Sequence, residues 1–131
     1  MPTVFTRIMN HELPGRIVHE DAQNVAFLTI APIKPGHTLV VPRLEIEHWI
    51  DLPDEASASL WATAAVVGRA LDTVFRPKKV GAMLLGLEVP HVHIHLLPIN
   101  AESEADFRLA DQQPDPAQLD DVAERIRRAL A

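Results

Sequence analysis

The sequence contains no cysteine. Disulfide bonds and thiolate metal sites are therefore excluded, and the reducing cytoplasm is the expected location. The N-terminal segment lacks the long apolar run of a signal peptide. No uninterrupted stretch reaches the roughly 18–20 apolar residues that are needed to span a bilayer. The sequence therefore predicts a soluble protein that has no membrane partner.

Basic residues are also in deficit. The chain has 12 Lys and Arg residues against 18 Asp and Glu residues, for a formal net charge of -6. This balance argues against a nucleic-acid polymer as partner. Proteins that bind such polymers contact the phosphate backbone with an excess of cationic side chains. A small phosphate ligand stays compatible with an acidic protein. The 131 residues, of which 47% are hydrophobic, predict a single domain over residues 1–131 with a substantial core.

Short β-branched and apolar runs indicate strands in the first half of the chain and again after its middle. The polar cluster from Asp21 to Asn24 is typical of a hairpin turn between the first two runs. The segment from Pro32 to Gly36 marks a loop before the third run. The five predicted strands cover residues 16–20, 25–30, 37–41, 80–88 and 91–99.

Two stretches have the apolar periodicity of helices. The longer helix is predicted to have Asp51 as its N-cap and to end near Arg76 and Pro77. Its apolar stripe comprises Leu60, Ala64, Val67, Leu71 and Phe75, with Trp61 and Ala65 beside it. A loop is predicted over residues 102–115, and a closing helix begins near Asp115 and Pro116. This order of elements predicts an α+β fold with a mostly antiparallel sheet.

The segment His91-Val92-His93-Ile94-His95-Leu96-Leu97-Pro98 alternates histidine with apolar residues. Because side chains alternate between the two faces of a strand, the three histidines are expected to share one face. Three imidazoles at once are unsuited to an apolar core. We therefore expect His91, His93 and His95 to line a cleft.

Two kinds of chemistry fit such a row. A metal site could use only two of its members, because the backbones of His91 and His95 lie ~13 Å apart in a strand while metal–nitrogen bonds measure ~2 Å. A histidine from a neighbouring strand, such as His37, would then have to join them. Nucleophilic catalysis would instead use a neutral His93, with a backbone carbonyl holding its Nδ1–H and leaving Nε2 free. The flanking histidines would donate hydrogen bonds to phosphate oxygens or to the leaving group.

The histidine run matches the alternating signature of the histidine triad (HIT) superfamily. Upstream, the stretch from Ala26 to Pro32 and the block around Pro35-Gly36-His37 resemble the first strands and the Pro-Gly-His turn of that family. The similarity covers about residues 4–99 in the family's order and spacing, and it is nearest to bacterial HIT-like proteins. Residues 100–131 then form a C-terminal loop and helix.

The resemblance implies a HIT-like α+β fold, in which a five-stranded, mostly antiparallel sheet with one long helix and a C-terminal helix is extended across a homodimer. It also implies a hydrolase or nucleotidyltransferase that cleaves a phosphoramidate or phosphoanhydride bond at the α-phosphate of a small-molecule nucleotide or nucleotide conjugate. His93 matches the nucleophile that becomes nucleotidylated, and His91 and His95 match the flanking members. His37 matches a fourth histidine of the same hydrogen-bond network. No cofactor and no catalytic metal are expected, since the hydrolase branches of the family need none. No structural zinc is expected either, since the N-terminal cysteine pair of zinc-binding members is absent.

Several positions near the expected substrate depart from the family pattern. Thr29 stands where many members have an aspartate that binds the ribose hydroxyls, and Glu88 and Val89 lie in a stretch that contacts phosphate and leaving group. By resemblance Phe27 walls the base pocket, so these four residues are assigned to substrate binding. A carboxylate at Glu88 would repel phosphate unless it turns away, is protonated or pairs with a cation. A second function therefore stays open, a nucleotide-binding or signalling module with little catalysis.

Overall fold

The computed structural model describes residues 2–131. Its centre is a five-stranded sheet in which every pair of neighbouring strands is antiparallel. The strands are β1 (Ile17–Glu20), β2 (Asn24–Leu28), β3 (Thr38–Pro42), β4 (Lys79–Met83) and β5 (Ile94–Ile99). They lie side by side in the order β1-β2-β3-β5-β4. The predicted α+β class with a five-stranded antiparallel sheet is confirmed.

Three α-helices accompany the sheet. They are α1 (Val4–Met9), α2 (Asp54–Phe75) and α3 (Pro116–Leu130). Three short 3-10 turns lie at Trp49–Asp51, Glu102–Glu104 and Phe107–Leu109, the last two inside the segment predicted as a loop. Within residues 2–131, no helix combines the length and the apolar character that a membrane crossing requires. The extension of the sheet across a homodimer stays a prediction.

The helix α1 was not predicted. Thr3 is its N-cap residue, and its hydroxyl oxygen accepts the N–H of Thr6 at 3.3 Å. Six residues are too few to show a periodic stripe, and such a short helix is stabilised by packing rather than by propensity. The helix packs against β2 and β3 through an apolar cluster of buried residues. This cluster comprises Phe5, Ile8, Met9, Val25, Phe27, Leu39 and Val41.

The long helices α2 and α3 pack on the opposite face of the sheet. Because β2 and β3 are thus covered on both sides, all five residues of each strand are buried. The predicted stripe of α2 lies in this core, with Leu60, Val67 and Leu71 fully buried. Trp61 faces outward instead, with 46% of its surface exposed.

The start of α2 differs from the prediction. Asp51 closes the preceding 3-10 turn, and Pro53 is the N-cap residue of the helix. The assignment of Asp51 as N-cap is therefore wrong, because the chain makes one separate turn before the helix begins. The predicted start of α3 is confirmed, since the Asp115 carboxylate accepts the N–H of Ala117 at 3.0 Å.

The two strands around the histidine run are shorter than predicted. β4 ends at Met83 rather than at residue 88, and β5 begins at Ile94 rather than at residue 91. Between them the chain leaves the sheet, with Gly86 at a φ of 71° and Pro90 lacking an N–H for strand pairing. His91 and His93 consequently precede the strand, so the three histidines do not form one row on its face.

Candidate active site

A cavity of about 480 Å³ opens beside the histidine run. Residues of α1 and β2 form one side of it, and the loop after β4 and the C-terminal segment contribute to the others. Its volume falls within the usual range of small-molecule sites. The predicted site residues that line it are His37, His93, His95, Phe27, Thr29, Glu88 and Val89. Of the predicted set, only His91 is not among the lining residues.

His93 presents one ring nitrogen to this cavity. Its Nδ1 lies 2.7 Å from the carbonyl oxygen of His91. Because a carbonyl oxygen only accepts, Nδ1 carries the proton and Nε2 of the neutral ring holds a lone pair. The ring is 4% exposed and lies between the rings of Phe5 and His95, at centroid distances of 4.9 and 4.8 Å. A buried and oriented imidazole of this kind is suited to nucleophilic attack.

His91 is placed differently from the prediction. Its ring is fully buried and directed away from the cavity, where Nε2 lies 2.8 Å from the carbonyl oxygen of Pro42 and Nδ1 lies 2.7 Å from Oγ1 of Thr3. The prediction that His91 lines the cleft beside His93 is therefore wrong. The physical reason is the late start of β5. Because His91 precedes the strand, its side chain does not follow the alternation of strand residues between the two faces of the sheet.

His37 is held by the turn that precedes β3. Gly36 has a φ of 96°, and a Cβ atom there would lie 2.7 Å from the ring of Phe75, so the turn requires glycine. The N–H of Ile33 donates to Nδ1 of His37 at 3.0 Å, which places the proton of the neutral ring on Nε2. That nitrogen lies 2.9 Å from Nδ1 of His95 and donates to it.

The contact with His37 decides the tautomer of His95. Because Nδ1 of His95 accepts the hydrogen bond from His37, its own proton lies on Nε2. His95 also lines the cavity, and within residues 2–131 its Nε2 has no hydrogen-bond partner. The site therefore offers an unprotonated ring nitrogen at His93 and a hydrogen-bond donor at His95 on neighbouring rings.

Burial keeps these rings neutral. Burial, with a smaller contribution from repulsion by His93, lowers the pKa of His37 to about 4. Burial, with smaller contributions from His93 and His37, lowers the pKa of His95 to about 3. Burial also lowers the pKa of His93, against the opposing effects of the His91 carbonyl and of the Glu88 carboxylate. At neutral pH the nucleophilic lone pair of His93 is consequently free of a proton.

Phe27 and Thr29 lie on the wall that β2 and the residues after it provide. Phe27 is 2% exposed and packs edge-on against Phe5 at 5.5 Å. The Thr29 hydroxyl accepts the N–H of Ala31 at 3.2 Å, so its oxygen already has one partner. A threonine offers a hydroxyl hydrogen and a neutral oxygen here, in place of the two charged acceptors of a carboxylate.

Glu88 and Val89 belong to the loop between β4 and β5. Val89 packs on the apolar cluster that contains α1, whereas Glu88 is exposed at the cavity. Among residues 2–131, Glu88 makes no side-chain hydrogen bond and no ion pair. The other charged side chain that lines the cavity, Arg16, is paired with Asp120 at 2.7 Å. The cavity thus carries one uncompensated negative charge near His93.

Sequence reasoning missed two groups of lining residues. Phe5 comes from α1, and Phe107 comes from the C-terminal segment and packs edge-on against His95 at 5.0 Å. An ion pair between Lys34 and Glu104 ties this segment to the loop before β3. Neither group carries a local motif, because each reaches the site only through tertiary packing.

The same geometry bears on the alternative of a metal site. Within the described residues, no three His, Asp or Glu side chains are grouped so that they could hold a metal ion. His91 uses both ring nitrogens for other contacts, and His37 and His95 bond to each other. The arrangement favours the nucleophile interpretation of the histidine run.

Comparison with known proteins identifies the same family as the histidine motifs. The model of the HIT domain family matches residues 10–102. An uncharacterized HIT-like protein of Methanocaldococcus jannaschii is 34% identical over 105 residues, which cover 72% of this chain and 77% of the relative. The bifunctional bis(5′-adenosyl)-triphosphatase/adenylylsulfatase FHIT of Arabidopsis thaliana is 30% identical over 122 residues, which cover 89% of this chain and 65% of the relative.

The fold is also similar to solved structures. The HIT-like protein involved in cell-cycle regulation from Bartonella henselae superposes with a TM-score of 0.83 at 26% sequence identity. The superposition covers 98% of this chain and 96% of that chain.

Proposed function

The chain belongs to the HIT domain family, and on that basis we propose that it is a nucleotide-binding hydrolase or nucleotidyltransferase. Its substrate is a small-molecule nucleotide or nucleotide conjugate, in which it cleaves a phosphoramidate or phosphoanhydride bond at the α-phosphate. The names of the Arabidopsis relative, a bis(5′-adenosyl)-triphosphatase and adenylylsulfatase, support this substrate class. The reaction uses side chains of the protein and no cofactor.

One observation carries the proposal. The His91 carbonyl holds Nδ1–H of His93 at 2.7 Å and thereby leaves a lone pair on Nε2 at a cavity of nucleotide size. A histidine that served only the core would have both nitrogens paired with protein groups. A lone pair held in this way supports a role for His93 in in-line attack on phosphorus.

The reaction follows in two steps. Nε2 of His93 forms a bond to the α-phosphorus while the bond to the leaving group breaks. The leaving atom departs with the electron pair of that bond and takes up a proton from solvent. Nε2–H of His95 donates to a phosphoryl oxygen, where negative charge develops. Water then forms a bond to phosphorus, the phosphorus–nitrogen bond breaks, and its electron pair returns to Nε2 as water loses a proton to solvent.

The covalent step predicts an intermediate that can be trapped. After brief mixing with adenosine 5′-phosphoramidate and denaturation at alkaline pH, we expect the intact protein to gain the mass of one adenylyl group. Peptide mapping should place the added group on His93, because only its Nε2 is both unprotonated and directed at the cavity. Modification of a different residue, or release of product without any modified protein at any time, would contradict the scheme.

The second candidate function is a nucleotide-binding module with little catalysis. It is favoured by Thr29, which lacks the charged acceptors of a carboxylate, and by the uncompensated charge of Glu88 beside His93. Calorimetric titration with AMP and a turnover assay on adenosine 5′-phosphoramidate separate the two functions. Tight binding without turnover supports the module, whereas turnover supports the enzyme.

The charge of Glu88 leads to a further prediction. Replacing Glu88 with glutamine is expected to tighten AMP binding by roughly 3- to 10-fold, because one exposed like charge near the phosphate is removed. The effect should shrink in high salt, which screens charges at the surface. Calorimetry at low and high salt measures both changes.

Asp121→Asn is the matched control for this variant. Asp121 is exposed on α3 and does not line the cavity, yet its replacement changes the net charge by the same amount. An equal gain in AMP affinity in both variants would show that Glu88 acts only through the overall charge of the protein.

A further inference from the structure

His91 lies in the irregular stretch between β4 and β5, where strand pairing does not fix the backbone. Its carbonyl oxygen is nevertheless the group that orients His93. Two backbone bonds hold this stretch, from the N–H of His91 to the Val89 carbonyl at 2.7 Å and from the N–H of Val92 to the Ile46 carbonyl at 2.8 Å. The ring of His91, which is 0% exposed, is a further anchor of this stretch.

The partners of the His91 ring decide its tautomer. The Pro42 carbonyl at 2.8 Å only accepts, so Nε2 carries a proton. Burial lowers the pKa of His91, so the ring is neutral at neutral pH and Nδ1 is an acceptor. The hydroxyl of Thr3, at 2.7 Å from Nδ1, must therefore donate its proton to this nitrogen.

Thr3 is itself fixed by neighbouring groups. Its oxygen accepts the N–H of Thr6 at 3.3 Å, and its own N–H donates to Oε1 of Glu45 at 2.6 Å. The Thr6 hydroxyl donates to the same carboxylate oxygen at 2.8 Å. Nδ1 of His91 is the nearer acceptor for the Thr3 hydroxyl, since Thr6 Oγ1 lies at 3.4 Å. These contacts orient the Thr3 hydroxyl so that its proton is donated to Nδ1 of His91.

We propose that Thr3 is a positioning residue for His93, acting through the ring and then the carbonyl of His91. This inference rests on the function proposed above, in which His93 is the nucleophile. Without the Thr3 hydroxyl, Nδ1 of His91 is a buried acceptor with no partner. Because an unpaired buried acceptor costs free energy, the ring is expected to turn or shift towards a new hydrogen-bond donor. The His91 carbonyl moves with it, and Nδ1–H of His93 loses its fixed acceptor.

The test compares two replacements of Thr3. Thr3→Val keeps the shape and removes the hydroxyl. We expect kcat to fall about 10-fold while KM stays within about 2-fold, a loss of the order seen when an outer partner of a functional histidine is removed. Thr3→Ser retains the hydroxyl and is expected to restore kcat to within about 2-fold of the wild type. Both are assayed with adenosine 5′-phosphoramidate on the full chain.

A spectroscopic measurement separates positioning from stability. In ¹H–¹⁵N spectra of the histidine side chains, we expect His93 to be a single Nδ1–H tautomer in the wild type and in Thr3→Ser, and a mixture of tautomers in Thr3→Val. Asp115→Ala is the control, because it removes the side-chain cap of α3, which lies outside the cavity. It should lower the melting temperature as Thr3→Val does and leave kcat and the His93 tautomer unchanged.

The outcomes are decisive in either direction. An unchanged His93 tautomer in Thr3→Val overturns the proposal, and so does a loss of kcat that serine does not restore. If the wild-type protein turns over no nucleotide, the proposed function fails, but the comparison of tautomers still decides the role of Thr3.

Discussion

Replacing His93 with alanine is expected to lower the turnover of adenosine 5′-phosphoramidate by at least about 10⁴-fold, the order lost when a covalent hydrolase loses its nucleophile. The ring supplies the lone pair that attacks phosphorus, and the neighbouring rings cannot replace it. His95 carries its proton on the nitrogen without a protein partner, and the nitrogens of His91 are both engaged elsewhere. Steady-state kinetics measure the loss, and urea unfolding shows that the variant is folded.

Chemical rescue makes this prediction sharper. In His93→Gly the missing ring leaves space between Phe5 and His95, and free imidazole in that space is expected to attack the substrate and release adenylyl-imidazole. His11→Asn is the matched control, because His11 is exposed at a φ of 62°, which asparagine tolerates. A His93→Ala variant with turnover near that of the wild type would contradict the covalent role.

Mild acid is expected to destabilise the folded chain through its buried histidines. The pKa of His37 is lowered to about 4 and that of His95 to about 3. Below the ordinary histidine pKa of about 6.5, the unfolded chain takes up protons that the folded chain does not. The free energy of unfolding therefore falls as the pH falls from about 6.5 towards these lowered values. Each ring contributes about 2 kcal/mol to the loss by pH 5, or about 4 kcal/mol together.

Urea unfolding at pH 7 and at about pH 5 measures this loss, in a range above the ordinary carboxyl pKa values. A variant with His37→Gln and His95→Gln should lose about 4 kcal/mol less over the same interval, while His11→Asn should behave as the wild type. If the double variant does not fold, the ring-proton resonances of the wild type provide the test. Resonances of His37 and His95 that titrate near pH 6.5 would refute the prediction.

Local sequence patterns were sufficient for much of the fold. The stripe of α2, with Leu60 and Leu71, identified its buried face because helical periodicity is visible in any amphipathic segment. The cap at Asp115 identified the start of α3 for a similar reason. The helix α1 was missed, since six residues carry little periodic signal and depend on the sheet that they cover.

The ends of β4 and β5 show the limit of such patterns. The alternation of histidine and apolar residues from His91 onward is compatible with a strand, but only the pairing of β5 with its neighbours determines where the strand begins. Strand pairing starts at Ile94, three residues after the alternation in the sequence begins. The strand itself was therefore predicted correctly, but His91 was wrongly placed within it. The other predicted site residues were assigned by family resemblance as well as by pattern, and they line the cavity. Their roles stay predictions.

The sequence by itself determined the α+β class and singled out the histidines that we propose to carry the chemistry, because alternation, helical stripes and the two histidine motifs are local properties. Only the tertiary structure decided which histidines meet and which protons they carry. His37 bonds to His95 across 58 positions and Thr3 bonds to His91 across 88 positions. Contacts over such separations arise from the packing of the sheet and α1, and the tautomers at the site depend on those contacts.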